Sequence, residues 1–185
     1  MFWIYFFVVY IIPYTKADAQ CGSNDFSFRD GEILSYNIQY HWGFIWLTAG
    51  EVSFSVNKEN RGGKECYHFI GNGRTYDSYD WFYKVRDTYE SWCSIDSFKP
   101  IEYMRNVSEG GYTVENKYVF NYDDSVVFSS GLREGKFNID STHILSDCLF
   151  DVMSLVYFTR AIDFNKYAVS EEINLDIILD DEKHE

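Results

Sequence analysis

The chain has 185 residues and a formal net charge of −13. That length suits one domain with an ordinary core, and so acidic a surface repels phosphate backbones, which sets nucleic acid aside as a partner. Aromatic residues make up 20% of the chain and favour half-buried pleated surfaces, so the composition points to β structure, while only two prolines, Pro13 and Pro100, exclude a Pro-rich linker.

The first residues read as an export signal, 1–19. Phe2 to Ile12 is an apolar run of signal-core length, and Pro13 ends it. Ala17-Asp18-Ala19 supplies small residues where a signal peptidase reads, which places cleavage before Gln20. No Lys or Arg precedes the run, so an uncleaved membrane anchor is the competing reading. Cys21 invites a lipoprotein signal, but Asp18-Ala19-Gln20 lacks the Leu and the small final residue such signals use. Cleavage removes Lys16 and Asp18 together and leaves the net charge at −13. The remainder, 20–185, is expected to be a single mostly-β domain with no stable transmembrane span.

After a lead-in from Phe26 to Gly31, Tyr36 to Val56 forms the longest apolar and aromatic block, uncharged until Glu51. Leu34, Tyr36, Ile38 and Tyr40 alternate with polar residues, as do Val52, Phe54 and Val56, and a period of two marks strands with one wet face. The two segments join near Trp42-Gly43-Phe44 or near Ala49-Gly50. Asn57 to Lys64, with its Gly pair, reads as a hairpin turn, and Glu65 to Ile70 as the returning strand. Gly71 to Thr75 reads as a glycine-bearing break, and Tyr76 to Lys84 as a short helical turn capped by Asp77 or Ser78. Further strands are expected over Val85–Ile95, Ile101–Val107, Tyr112–Tyr122, Ser125–Ser130 and, more weakly, Arg133–Ile139, with turns at Asp96–Pro100, Glu109-Gly110-Gly111 and Asp123-Asp124. From Ser146 to Asp163 the period changes: Leu149, Val152, Met153, Val156 and Ile162 recur at steps of three and four. This predicts an amphipathic helix with Ser146 or Asp147 as its N-cap and Arg160 in its last turn. Glu171 to Leu179 alternates again as a last strand. The expected fold is mainly β, a strongly curved antiparallel sheet or open barrel with one amphipathic helix packed against it.

Few residues suggest chemistry. Gly71-Asn72-Gly73 lacks the third glycine and the following helix of a dinucleotide fingerprint, and no GxSxG, HExxH or P-loop is present. His41, His68, His143 and His184 are scattered singly, so neither a metal site nor a cofactor is expected. Cys21, Cys66, Cys93 and Cys148 form no CxxC, and an oxidising compartment permits either disulfides, in one of three full pairings, or free buried thiols. Asp80, Arg86 and Asp87 are the candidates for acid–base work, weighed against ion pairing across strands. Trp42, Phe44, Trp46, Trp81 and Phe82 are either plain core or the lining of an apolar cavity suited to a lipid or another hydrophobic ligand.

The blocks YHWGFIWLTAGEVSFSV, GNGRTYDSYDWFYKVRDTYESW, PIEYMRNVSEGGY, CLFDVMSLVYFTRAIDF and INLDIILDDE occur in this order. In them the chain, from about Phe26 onward, resembles exported proteins of Gram-negative bacteria in the domain-of-unknown-function 3108 family. The resemblance implies an exported, mostly-β protein of the periplasm or cell envelope, with no catalytic residues to carry over. It also implies further strands after Asp180-Asp181-Glu182, so the final strand is expected to lie as an uncovered edge. The functional expectation is a non-enzymatic protein that binds an apolar ligand, a lipid or an envelope component. A hydrolase-like enzyme using Asp80 or Asp87 with Arg86 and a structural partner-binding module are the alternatives.

Overall fold

The computed structural model describes residues 26–184. The signal segment, its cleavage point and Cys21 lie outside these residues, as does the side chain of Trp42. Eight strands follow one another as an antiparallel meander: β1 (Ile33–Trp42), β2 (Ile45–Arg61), β3 (Lys64–Thr75), β4 (Arg86–Ser94), β5 (Pro100–Glu109), β6 (Tyr112–Asn121), β7 (Val126–Arg133) and β8 (Phe137–Ile144). Their order in the sheet is their order in the chain, and β1 and β8 do not pair, so the sheet is open rather than a closed barrel. The turns at Gly62-Gly63 and Gly110-Gly111 fall where the sequence placed them, each with positive φ at both glycines, the conformation that two-residue hairpins require.

One face of the sheet is covered by helix α1 (Val152–Thr159) and by a small sheet in which β9 (Leu149–Phe150) pairs parallel with β10 (Asp176–Leu179), which pairs antiparallel with β11 (Glu182–His184). The strands send alternate residues to this face, and the core forms there. The Phe69 and Tyr157 rings stack at 4.1 Å, and the Phe28 ring meets Tyr157 edge-on at 5.3 Å. Met153, Phe150, Leu149 and Ile178 complete a dry interior.

Several local expectations are corrected. The helix does not run from Ser146 to Asp163. Leu149 and Phe150 are drawn into strand pairing with Asp176 and Ile177, and the cap is Asp151, whose carboxylate accepts from the N–H groups of Met153 and Ser154 while the Ser154 hydroxyl accepts from the Asp151 N–H. This capping box starts the helix at Val152. Arg160 is its C-cap, and Asp163 caps a separate 3-10 turn over Phe164–Lys166. Gly71 to Thr75 is no break but the continuation of β3. Gly71 lies under the helix, where a Cβ would come 2.9 Å from the Met153 sulfur, so the glycine serves close approach rather than a turn. The first hairpin turns at Gly43-Phe44, whereas Ala49 is a bulge within one long strand β2, opposite the Ile38/Gln39 step of β1. Residues 77–82 form hydrogen-bonded turns, and the Tyr83 N–H donating to the Tyr79 carbonyl closes the short helical turn expected there. The strand expected at Arg133–Ile139 is instead the turn at 134–136 followed by β8, and the last predicted strand begins at Asp176 rather than Glu171. Cys66 and Cys93 are buried free thiols, and Cys148 is disulfide-bonded, so neither the fully paired nor the fully free arrangement applies.

Candidate functional site at the aromatic end of the sheet

A meander sends alternate connections to the same end of the sheet. The β1–β2, β3–β4, β5–β6 and β7–β8 connections therefore share one end. Each of them carries or adjoins an exposed ring: Phe44, then Trp81 and Phe82, then Tyr112, then Phe137. The opposite end differs in character. Its connections hold Gly62-Gly63 between Arg61 and Lys64, Asp96 to Lys99 with Phe98 buried, and Asp123-Asp124 beside Tyr122, the one exposed ring there among the described residues, whose hydroxyl donates to the Pro100 carbonyl at 2.9 Å.

The aromatic end has two projecting pieces. β2 pairs with β3 only from Gly50 to Arg61, so beyond the Ala49 bulge it continues with β1 as a two-stranded arm. On the arm Phe44 is 100% exposed and Trp46 66%, and Tyr40, Ile45 and Leu47 are open as well. The second piece is the 76–85 loop, where Trp81 and Phe82 are 83% and 78% exposed. The loop is tied to the base of the arm, since the Tyr76 N–H donates to the Ala49 carbonyl at 2.9 Å and its hydroxyl to Asn37 Oδ1 at 3.0 Å. Its far side is pinned by Tyr83, whose ring occupies the space that a Cβ on Gly110 would need.

The loop also contains the predicted candidate Asp80, and the structure joins it to Arg86, the first residue of β4. Arg86 holds Asp80 through both guanidinium nitrogens, at 3.1 and 2.6 Å, and the Thr75 hydroxyl donates to the same carboxylate at 2.7 Å. The Thr75 hydrogen bond, with Arg86 beside it, holds the Asp80 carboxyl below the usual carboxylate range. Asp80 and Arg86 thus fasten the loop shut against the strand ends. Asp87 is not part of this pair. It follows Arg86 in β4 and so points to the opposite face of the sheet, where it accepts from the Ser108 N–H at 3.0 Å. Burial pushes its carboxyl up to about 6, and the neighbouring Glu109 carboxylate adds to the rise. Asp87 forms part of the floor of a groove of about 190 Å³ lined by Ile38, Tyr40, Val52, Thr75 and Val85.

The predicted aromatic set is therefore brought to one end, on the arm and the loop, and not to the space between sheet and helix, which is filled with core. Tyr40, Ile45, Tyr112 and Phe137 join it, as Glu109 joins Asp87. Their signal in the sequence was position beside a turn rather than residue type. On the opposite face of the sheet from the helix a larger, polar groove of about 450 Å³ is lined by Glu90, Met104, Asn106, Glu115 and Lys117. Beside it His68 lies between Glu90, at 2.8 Å, and Glu59, at 3.2 Å, and stacks on Trp92. Among the described residues no group of three or more His, Cys, Asp or Glu side chains could hold a metal ion, and no helix is long and apolar enough to cross a membrane.

Fold and site together define, over the described residues, an open-meander β protein with one α-helix, an aromatic end and a polar face. The chain belongs to the family described as "Protein of unknown function (DUF3108)", whose model matches residues 35–185. No curated protein and no solved structure matches it.

Proposed function

We propose that this protein is a non-enzymatic, exported binding protein of the periplasm or cell envelope that takes an apolar, lipid-like ligand, or the apolar part of an envelope component, at the aromatic end of its sheet. The observation that carries the reading is the exposure of Phe44, Trp46, Trp81 and Phe82 on two pieces of chain hydrogen-bonded to each other. Exposed rings of this size lose hydration cost when an apolar phase covers them, at roughly 25 cal/mol per Å² removed from water, and Trp in particular favours the boundary between water and hydrocarbon. The groove beside Tyr40 and Ile38 gives an acyl chain a place to lie. The apolar N-terminal run and the family resemblance support export. Mixing the purified protein with vesicles of envelope lipid tests the reading. It expects co-sedimentation and a blue shift of tryptophan emission, both weakened by Trp81→Ser and Phe44→Ser. Sedimentation and emission unchanged by lipid would overturn it.

Asp87 favours one second reading. A carboxyl raised to about 6 beside a second carboxylate, on a groove floor, has the protonation behaviour of a general acid or base. Hydrolysis of an ester substrate that is lost in Asp87→Asn and follows a pH profile near 6 would favour this reading over the first.

A further inference from the structure

Among the described residues strand β1 is one edge of the sheet, with β2 as its only neighbour. Sheet edges in proteins are commonly blunted by charge, proline or a covering segment, because the open N–H and C=O groups template pairing with another strand. The other edge, β8, follows that rule. It contains Asp140, and its Ser141 and His143 hold the turn of the β10–β11 hairpin through Asp181, at 2.7 and 3.1 Å. Among the described residues β1 has none of these devices. From Ile33 to Gly50 there is no Asp, Glu, Lys, Arg or Pro, in a chain whose net charge is −13. The Ala49 bulge sits in β2, on the inner side.

The outward surface of β1 is also large and apolar. Ile33, Tyr36, Ile38 and Tyr40 are exposed, as are Ile45, Trp46 and Leu47 on the strand behind. Tyr36, Ile38, Tyr40, Ile45 and Leu47 share the helix side and form one apolar strip beside the open edge, while Ile33 and Trp46 lie on the other face. A lipid surface would satisfy these side chains but not the open backbone groups of the edge, which need donors and acceptors that hydrocarbon lacks. A strand satisfies both.

We infer that β1 is a dimerisation edge, paired antiparallel about a two-fold axis with β1 of a second copy of this chain. The strand is self-complementary in that arrangement. Antiparallel partners directly opposite each other share a face, and the even-numbered residues of β1 all lie on the helix side, as their pairing with Phe54, Val52 and Gly50 shows. A register centred on Ile38 sets Ile38 against Ile38 of the second copy and Tyr36 against its Tyr40, so aromatic rings meet across the strands. On the other face the same register sets Asn37 against Gln39, two uncharged amides able to hydrogen-bond. The interface uses the same patch twice and therefore closes on itself without forming a fibre. Because the strands run oppositely, the two aromatic ends point away from each other, and Phe44, Trp81 and Phe82 stay free. The inference does not rest on the ligand-binding proposal, although Ile38 and Tyr40 also line its groove.

Light scattering on the size-separated protein over a hundredfold concentration range is the test. The wild-type protein is expected to be a dimer. Ile38→Lys sets two like charges opposite each other at the axis and weakens the dimer at least tenfold, while Ile33→Lys, at the far end of the strand, leaves it intact. Circular dichroism of both variants separates loss of dimer from loss of fold. Ile38→Cys, oxidised, is expected to cross-link two chains, and Ile33→Cys is not. Wild-type protein monomeric at every concentration, or a dimer that survives Ile38→Lys, overturns the inference. Trp81→Ser, which lies off β1, is expected to weaken vesicle binding and to leave the dimer intact, so the two proposals are read separately.

Discussion

The Ser91 hydroxyl donates to Asp151 Oδ2 at 2.7 Å, and both residues are completely buried. This bond ties β4, at the middle of the sheet, to the cap of the only α-helix among the described residues. Burial pushes the Asp151 carboxyl up to about 6 despite the hydrogen bonds from Ser154, Ser91 and Met153. Since the unfolded value is 3.8, the folded state binds more protons between the two, and stability from this group is fully present below about pH 4, falls as pH rises to about 6, and is flat above. Asp151→Asn keeps the capping oxygen and removes the titration. Urea melts at pH 4.5 and 7 are therefore expected to show a loss in the wild type that exceeds the variant's by the order of 2 kcal/mol, the remainder being the like contribution of Asp87. Asp151→Ala, which orphans the helix N–H groups and the Ser91 hydroxyl, is expected to cost about 2–3 kcal/mol at either pH.

Two glycines are required for different reasons and respond differently to a methyl group. A Cβ on Gly71 meets the flexible end of Met153, whereas one on Gly50 meets the backbone carbonyl of Arg74 across the β2–β3 pair. A side-chain terminus can move and a paired strand cannot. Gly71→Ala is expected to cost about 1 kcal/mol and Gly50→Ala about 3 kcal/mol, the low and high ends of overpacking costs. Thermal melts of the two variants check the order.

The strands were legible wherever one face is wet, because burial then writes a period of two into the residues. Tyr112 to Asn121 illustrates this, with Val114, Tyr118 and Phe120 buried between open neighbours, whereas Leu34 to Tyr40 alternates in residue type although Tyr36, Ile38 and Tyr40 are exposed. The pattern failed where tertiary contact overrides it. Gly71 and Gly73 look like a break because glycines in a strand carry no side-chain signal, and the reason for Gly71 is a helix some eighty residues away in sequence. The helix was overextended because Leu149 and Phe150 fit its apolar period, yet their backbones pair with residues 176 and 177, a partner no local pattern names. At the aromatic end, residue type identified Phe44, Trp46, Trp81 and Phe82, and only the order of the strands brings them to one end. Asp80 and Asp87 look alike in sequence, but alternation along β4 gives Arg86 to one face and Asp87 to the other.

The exposed rings are expected to matter for binding and not for folding. Phe44 and Trp81 make little contact with the core, being 100% and 83% exposed. Phe44→Ser and Trp81→Ser should each leave unfolding free energy within about 0.5 kcal/mol of wild type. Phe69→Ala, under Tyr157 in the core, should cost about 3–5 kcal/mol. Chemical denaturation monitored by far-ultraviolet dichroism distinguishes the two classes.

The β10–β11 hairpin is held by its turn. Asp180 and Asp181 both have positive φ, at 49° and 68°, which a tight hairpin demands and which Asp and Asn tolerate better than most residues. Asp180 pairs with the buried Arg105 at 2.7 Å, and the Asp181 N–H donates to the Tyr118 hydroxyl at 3.1 Å. Burial opposes ionisation of Asp181, but hydrogen bonds from Ser129, Ser141 and His143 outweigh it and hold the carboxyl below its usual range. Its contribution is therefore present above the unfolded value of 3.8 and is lost as pH falls through that value toward the folded one. Asp181→Asn keeps a residue suited to the turn and removes the charge that faces His143. Hydrogen exchange at Ile178 and Leu179 is expected to speed up in this variant at neutral pH, by about 1–2 kcal/mol of local protection, and to speed up in the wild type only in acid. Equal protection of the two proteins at neutral pH would mean that the Arg105–Asp180 pair alone holds the hairpin.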